Sequence, residues 1–450
     1  MKVAKFGGSS LANAEQVKKV CNIITSDPER KVIVVSAPGK RCNEDIKVTD
    51  LLIACAESYM ITGNADKECE AVIARFDQIG KELEIPDDIL FSIAEDIRGR
   101  LRLYTGNRKK FLDVMKAAGE DNCARLVAGY LQYLGINAHY INPKDAGLIL
   151  SNEFGNAQVL PESYKNLKSL INIPGIVIFP GFFGYSKEGD IVTFPRGGSD
   201  ITGSILAAAL DAELYENFTD VDCVYSVNPS IITNPIPIHE LTYSEMRELS
   251  YAGFSIFHEE ALVPVYRKGI PVRVKNTNNP DAPGTTILPE RTNITRPVIG
   301  IASDDRFCCI HISKYLMNRE IGFGRKVLRI LEDENLSYDH IPSGIDHMSV
   351  VLNRSQMKEE TEIRIIRRIK EELSVDEITV MHDLALIMIV GEGMSQIVGL
   401  AARATRAFAR AGVNIEMINQ GISEISIMFG VKVEDSIKAV KSLYAEFFGE

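Results

Sequence analysis

The chain has 450 residues, 45% of them hydrophobic and 25% charged, an ordinary folded-protein composition at a length that predicts two or three domains rather than one core. Its formal net charge of -11 excludes the broad basic face that nucleic-acid phosphates demand, yet leaves room for a local cationic pocket around a small anion. No apolar run reaches bilayer length, no apolar signal segment follows Lys2 and Lys5, and the eight cysteines form no Cys-x-x-Cys pair, so the expectation is a reduced, cytoplasmic protein that binds neither nucleic acid nor membrane.

Lys2-Val3-Ala4 reads as the head of a buried strand, and Lys5-Phe6-Gly7-Gly8-Ser9-Ser10 follows it directly. Two consecutive glycines let backbone N–H groups approach an anion, Lys5 brings a point charge, and a helix over Asn13 to Thr25 adds a positive dipole end. Val32-Ile33-Val34-Val35 is the next strand, closed by Ser36-Ala37-Pro38-Gly39. Apolar residues at helical spacing predict helices over 49–62, 65–83 and 121–133. Thr49 reads most simply as an N-cap, and Gly119-Glu120-Asp121 as the acidic head of a helix. Ile176 to Phe179 is a further strand, closed by Pro180-Gly181. Strands apolar on both faces and separated by helices predict an α/β three-layer sandwich with a mostly parallel central sheet. Ligands bind such sheets outside the carboxyl ends of the strands, where the turns after Ala4, Val35 and Phe179 would gather.

A second glycine pair, Arg196-Gly197-Gly198-Ser199-Asp200, lies between strand-like Asp190 to Phe194 and a helix over Ile201 to Leu210. Ser199 and Asp200 suit capping of that helix; Arg196 offers a planar fork for a carboxylate, and Asp200 a partner for Lys5 or a metal-bound phosphate. Two such junctions suggest a nucleotide on one side and an anionic acceptor on the other. Asn217 to Tyr225 reads as a strand end running into an Asx-rich turn. The seven histidines are scattered, only His258 lying in a motif-like context. Phosphoryl transfer to a carboxylate needs no general base, so charge neutralisation and in-line positioning fall to Lys, Arg, backbone N–H groups and Mg2+.

The Asn-, Thr-, Pro- and Gly-rich segment Asn276 to Pro297 marks a boundary. Beyond it, Gly322 to Val351 aligns without a gap to Gly399 to Met428, an internal repeat. Each copy reads β-α-β-β-α-β. The first has strands over 308–312, 337–342, 348–352 and 378–382 and helices over 322–334 and 359–373. The second, over 384–448, is one strand short. Val298 to Ala302 is a spare strand expected to complete the second sheet, which makes the first copy an insertion within the second.

These motifs, with Phe218-Thr219-Asp220-Val221-Asp222, resemble those of the aspartate kinase (aspartokinase) family of the amino acid kinase superfamily, in its monofunctional, lysine-sensitive bacterial form with tandem ACT domains. The resemblance spans essentially the whole chain. It implies a catalytic domain over 1–292, a first α+β ACT domain over 304–382, and a second over 296–303 plus 383–450. The implied reaction is ATP-dependent phosphorylation of the β-carboxylate of L-aspartate to 4-phospho-L-aspartate, the first step of lysine, threonine and methionine biosynthesis, with Mg2+ carried by the nucleotide rather than ligated by the protein. Lys5, Gly7, Gly8 and Ser9 are implied to hold the transferring phosphates, Asp200 to position Lys5 and the metal nucleotide, and Arg196 and Ser199 to clamp the α-carboxylate. Thr49 and Glu120 complete the substrate pocket, Glu120 facing the amino group; Thr219, Asp220 and Tyr225 line the adenine and ribose side. Met317, Gly322, Phe323, Gly324, Asp339, Ser343 and Gly344 fall where the family binds its feedback amino acid, here expected to be L-lysine. A homodimer through the ACT modules is expected, with further pairing of dimers open.

Three departures stand out. Pro195 replaces a usual Ser, Ser255 replaces a lysine near the nucleotide, and Asn228-Pro229 leads to Ser230 rather than to arginine. Lys275 is a candidate replacement for the lost lysine. Two other readings compete: an amino-acid sensor with an inactive kinase half, and a kinase of another acceptor such as glutamate, N-acetylglutamate or UMP.

Overall fold

The computed structural model describes all residues except 255, 256, 258–260, 292, 293, 295, 422–424 and 450, and of Gln396 the backbone alone. They form two compact units, Met1–Val224 with Pro237–Met246 and Ser255–Thr292, and Tyr225–Ile236 with Arg247–Phe254 and Asn293–Glu450.

The first part of the chain runs β1 (Lys2–Phe6), α1 (Ala14–Thr25), β2 (Arg30–Val35), α2 (Val48–Thr62), α3 (Asp66–Glu82), α4 (Asp87–Leu101), α5 (Arg108–Tyr133) and β3 (Ala138–Tyr140). Short helices α6 (Pro143–Ala146) and α7 (Pro161–Leu167) lead to β4 (Ile176–Pro180) and to the hairpin of β5 (Phe183–Tyr185) and β6 (Ile191–Thr193). Then come α8 (Gly198–Ala209), β7 (Leu214–Thr219), β8 (Val224–Tyr225), β9 (Pro237–Ile238), β10 (Glu240–Thr242), α9 (Tyr243–Tyr251), α10 (Val263–Lys268), β11 (Val272–Asn276) and β12 (Thr285–Leu288).

Eight of these strands form one sheet in the order β10-β12-β11-β7-β1-β2-β4-β3, parallel except for the β11–β12 pair. β1 lies at its centre, Lys5 opposite Val34 on one side and Asn217 on the other. Helices cover the sheet to give the three-layer sandwich. Ala4, Phe6, Ile33 and Val35 share a core with Val17, Val20, Cys21 and Ile24 of α1, whose apolar residues recur at helical spacing.

Several sequence expectations shift. β1 continues through Phe6, so Lys5 is a strand residue and the turn begins at Gly7. A 3-10 turn, Gly8–Leu11, separates that turn from α1, whose first turn is already capped by Asn13 Oδ1 accepting from the Gln16 N–H at 2.9 Å. Glu120 is not at a helix head but in the middle of the 26-residue α5, which starts at its own cap, Asn107. Thr49 is not the cap of α2; Lys47 stands there and Thr49 is the second helical residue. α8 begins at Gly198 with Gly197 as N-cap at φ 82°, so Ser199 and Asp200 are not caps but first-turn residues. The strand before them belongs to the β5–β6 hairpin, not to the main sheet.

The second unit holds β13 (Gly300–Ser313), α11 (Phe323–Asp333), β14 (His347–Asn353), α12 (Glu359–Leu373), β15 (Glu377–Val390), α13 (Leu400–Ala411), β16 (Met417–Gln420), β17 (Ser426–Lys432) and α14 (Ser436–Phe448). Its sheet runs β14-β13-β15-β17-β16, antiparallel throughout. The spare strand is the start of β13: Gly300, Ile301 and Ala302 pair with Val390, Ile389 and Met388, and after an irregularity at Asp304 to Phe307 the same strand pairs Cys309 to Ser313 with Met381 to Glu377. Ser337 to Pro342, predicted as a strand, contributes only isolated bridges, His340 to Val351 and, just beyond, Ser343 to Met348. The Asp339 and His340 N–H groups both turn to the Val351 carbonyl, and Pro342 has no N–H to extend a ladder.

Candidate active site

The first unit joins its two glycine pairs through one buried ion pair. Lys5 Nζ lies 2.6 Å from Asp200 Oδ1, their side chains 8% and 14% exposed. Asn217, beside Lys5 on β7, accepts from Lys5 Nζ at 3.4 Å and donates through Nδ2 to Asp200 Oδ1 at 2.6 Å. A lysine at the end of a buried strand is tolerable because a carboxylate and an amide oxygen replace its water.

The turn after β1 is held from both sides. The Gly7 N–H donates to the Phe218 carbonyl at 3.0 Å, and the Gly39 N–H to the Gly8 carbonyl at 2.8 Å. A Cβ on Gly39 would lie 2.6 Å from the Gly8 carbonyl carbon, and one on Gly8 2.9 Å from the Ala37 carbonyl oxygen, so the turns after β1 and β2 touch backbone to backbone. Ser10 Oγ and Thr277 Oγ1, 2.7 Å apart, fix the turn on its third side. Gly7 and Gly8 stay partly exposed and Ser9 exposed, as a cradle for a solvent-borne anion requires.

Glu120 projects from the middle of α5 and is 6% exposed. Gly119 lets the helix press against the turn after β2, since a Cβ there would sit 2.7 Å from Ala37 Cβ. Burial raises the Glu120 pKa to about 8, against the opposing pull of a hydrogen bond from the Ala37 backbone and the charge of Lys116. Its Oε2 is buried with no hydrogen-bond partner among the described residues. One turn earlier on the same helix, Lys116 is held 2.7 Å from Asp113 and 3.1 Å from Thr193 Oγ1.

Ser199 is buried against the turn after β4, where a Cβ on Gly181 would fall 2.6 Å from Ser199 Oγ. Arg196 is exposed, in the turn that opens α8, with half-buried Pro195 before it. Thr49 is half-buried in the first turn of α2. Thr219 ends β7 and donates through Oγ1 to exposed Asp220 at 3.1 Å. Tyr225, predicted to join them, belongs to the second unit. Lys275 lies on β11 opposite Phe218, and burial lowers its pKa. Ser255 and His258 lie outside the described residues. Asn217 and Lys116 had no individual role in the sequence reading; the polar pair Glu216-Asn217 between apolar Tyr215 and Phe218 is the signal that could have found the first.

In the second unit the predicted effector residues have varied surroundings, Gly324 and Ser343 both neighbouring Met348. Ser343 and Gly344 line a cavity of about 510 Å³ together with His311, His347, Met381 and Glu416. Met317 and Phe323 lie in the hydrophobic core, 5% and 3% exposed. Gly322, at φ 76°, caps α11, and Gly324 follows in its first turn. Asp339 Oδ1 accepts from Tyr251 OH at 2.8 Å. Among the described residues no group of three or more His, Cys, Asp or Glu side chains is arranged to hold a metal, and no helix is long and apolar enough to cross a membrane.

Residues 1–276 match the amino acid kinase family, and residues 387–447 match the ACT domain. The chain is 60% identical to aspartokinase 3 of Bacillus subtilis (strain 168), a similarity that covers 100% of this chain and 99% of that protein. The structure is similar to that of Clostridium acetobutylicum aspartate kinase, an allosteric enzyme, with 39% identity, a TM-score of 0.88 and coverage of 99% of this chain and 100% of the other. It is also similar to E. coli aspartokinase III in complex with lysine and aspartate (T-state), with 25% identity, a TM-score of 0.79 and coverage of 100% and 99%.

Proposed function

The chain belongs to the amino acid kinase family, among its aspartokinases, and on that premise we propose how its residues divide the work of phosphorylating L-aspartate. The protein transfers the γ-phosphoryl group of ATP to the β-carboxylate of L-aspartate, giving 4-phospho-L-aspartate and ADP, the first step toward lysine, threonine and methionine. The observation that carries the division is the Lys5–Asp200–Asn217 contact, which ties the phosphate turn to the junction bearing Arg196 and Ser199.

The triphosphate lies against Gly7, Gly8 and Ser9. The Gly7 N–H is already spent on Phe218, which leaves the Gly8 and Ser9 N–H groups for phosphate oxygens. Lys5 meets the charge that develops on the transferring group, and Asp200 and Asn217 hold its ammonium ready. The Asp200 carboxylate at the junction would position the metal nucleotide through the water on Mg2+, an ion that would keep its direct ligands on phosphate and water. Bound with the nucleotide, Mg2+ would neutralise phosphate charge.

Aspartate's α-carboxylate is taken by Arg196 and Ser199, and its ammonium by Glu120, whose unpartnered Oε2 gains a donor and whose raised pKa falls when the cation arrives. Thr49, at the start of α2, closes the pocket. The β-carboxylate is already a nucleophile, so the protein supplies orientation rather than a base. Thr219 and Asp220 form the adenine and ribose side.

Residues 1–292 act as the catalytic domain, 304–382 as the first ACT domain, and 296–303 with 383–450 as the second; the pairing of Gly300–Ala302 with Met388–Val390 supports this division. L-lysine inhibits by binding the first ACT domain, with Asp339 facing an ammonium group; lysine bound in the E. coli relative supports this choice. The enzyme works in the cytoplasm as a homodimer joined through its ACT domains.

The test is direct. Purified protein with Mg-ATP, L-aspartate and hydroxylamine should yield aspartyl hydroxamate, less of it when lysine is added, and none when glutamate replaces aspartate. No hydroxamate from aspartate would refute the assignment.

A further inference from the structure

Arg75 is a charged residue on the buried face of α3, in line with Val72, Phe76 and Ile79, and is 5% exposed. A guanidinium there is expensive unless it is paired, and both of its partners lie on the segment between β2 and α2. Its Nη2 donates to the Gly39 carbonyl at 2.7 Å and to Asp45 Oδ2 at 2.7 Å, and its Nη1 to Asp45 Oδ1 at 3.1 Å. Residues 40–47 are otherwise exposed; only Asp45 turns inward. Asp45 also accepts from Arg41, through its backbone N–H at 2.8 Å and its guanidinium at 2.9 Å. The segment is tied further by Arg41 Nη1 donating to Gln78 Oε1 on α3 at 2.9 Å and by the Val48 N–H to the Pro38 carbonyl at 3.1 Å.

Gly39 is the residue that packs on Gly8 with no room for a side chain, its N–H bonded to the Gly8 carbonyl. A chain of contacts therefore runs from Arg75 to Gly39 and from Gly39 to Gly8. We propose that Arg75 is a positioning residue for the nucleotide: by gripping the Gly39 carbonyl and Asp45 in one fork, it sets the backbone against which the phosphate turn Gly7–Ser9 is held. The inference rests on the reading of that turn as the phosphate site. Lysine, with one donor group and no fork, cannot grip Gly39 and both Asp45 oxygens together.

The experiment is steady-state kinetics of Arg75→Lys, with Lys5→Met measured alongside. Arg75→Lys should raise KM for ATP about tenfold, with kcat and KM for aspartate changed less than about threefold and the melting temperature close to wild type. Arg75→Ala should lose more, and millimolar guanidinium should recover part of the loss. Should Arg75→Lys fold poorly, Asp45→Asn, on a surface segment, carries the same expectation at smaller size. An unchanged KM for ATP in a folded variant overturns the proposal, as does a parallel rise in both KM values without rescue by guanidinium. If Lys5→Met is impaired and Arg75→Lys is not, only the role of Arg75 fails; if neither is, the phosphate site itself has been misread.

Discussion

Lys5 Nζ and Asp200 Oδ1 sit 2.6 Å apart, with Asn217 bonded to both, so glycine pairs far apart in the chain are fixed at one point by a buried contact. Neither charge makes sense at the end of a buried strand or in a buried first helical turn without the other. Together they leave an ammonium oriented by protein rather than by water, the condition under which a cation stabilises developing charge without reorganising.

Asp200→Ala and Asp200→Asn should therefore part company. Alanine strands a buried ammonium, at a cost of about 3–5 kcal/mol in unfolding free energy. Asparagine keeps a hydrogen-bonding oxygen beside Lys5 and should retain most of the stability while kcat falls on the order of 10²-fold. Urea denaturation and kcat measured on both variants check this; equal stability of the two would mean that the pair is not buried in solution.

Glu120 predicts a pH dependence. Its folded pKa of about 8 lies above the ordinary 4.5, so between those values the folded chain holds a proton that the unfolded chain has released, and stability falls as pH rises through that window. Glu120→Gln should match wild type near pH 4.5 and melt at a higher temperature at pH 8 to 9, while failing to bind aspartate. Wild-type kcat/KM for aspartate should rise from pH 6 toward 8 as the empty site ionises. Thermal melts across pH and a pH–rate profile decide it; a flat difference between the variants would place the titration elsewhere.

The close approach of Gly181 to Ser199 gives a steric test. An added Cβ would fall 2.6 Å from Ser199 Oγ and 2.9 Å from its Cα, so Gly181→Ala must push the start of α8. KM for aspartate should rise at least about tenfold, more than KM for ATP. Initial rates with each substrate varied separately would show it.

Much of this was legible in the sequence because the motifs are local. Lys5 to Ser10 and Arg196 to Asp200 announce themselves by glycine pairs at strand-to-helix junctions, and the apolar runs of β1, β2 and β4 fix a parallel sheet. What was not legible depends on contacts between distant segments. Glu120 looked like a helix-head acid because Gly119 before it resembles a turn residue; the glycine is there so that α5 can press against Ala37, a reason only the packed structure supplies. Asn217 lay inside a cluster that reads as a loop, yet β7 extends through Thr219 and turns its side chain toward Lys5. The strand expected over 337–342 failed because Pro342 and the shared Val351 carbonyl limit pairing to isolated bridges, which no apolar pattern reveals.

Regulation offers a test with two opposite signs. Asp339 Oδ1 already accepts from Tyr251 OH, so under the proposed effector role an incoming ammonium would compete with that hydroxyl. Asp339→Ala should raise the lysine concentration for half-inhibition about tenfold or more, the loss expected for one charge-assisted hydrogen bond. Tyr251→Phe should lower it and leave the uninhibited rate unchanged. Inhibition curves of both variants check the pair; a shift of both in the same direction would show that Tyr251 does not compete.

The most direct measurement is hydroxamate formation by Lys5→Met from Mg-ATP and L-aspartate, with folding confirmed by circular dichroism. The account predicts a fall in kcat on the order of 10³-fold in a protein that still binds aspartate. Turnover within a few-fold of wild type would contradict it.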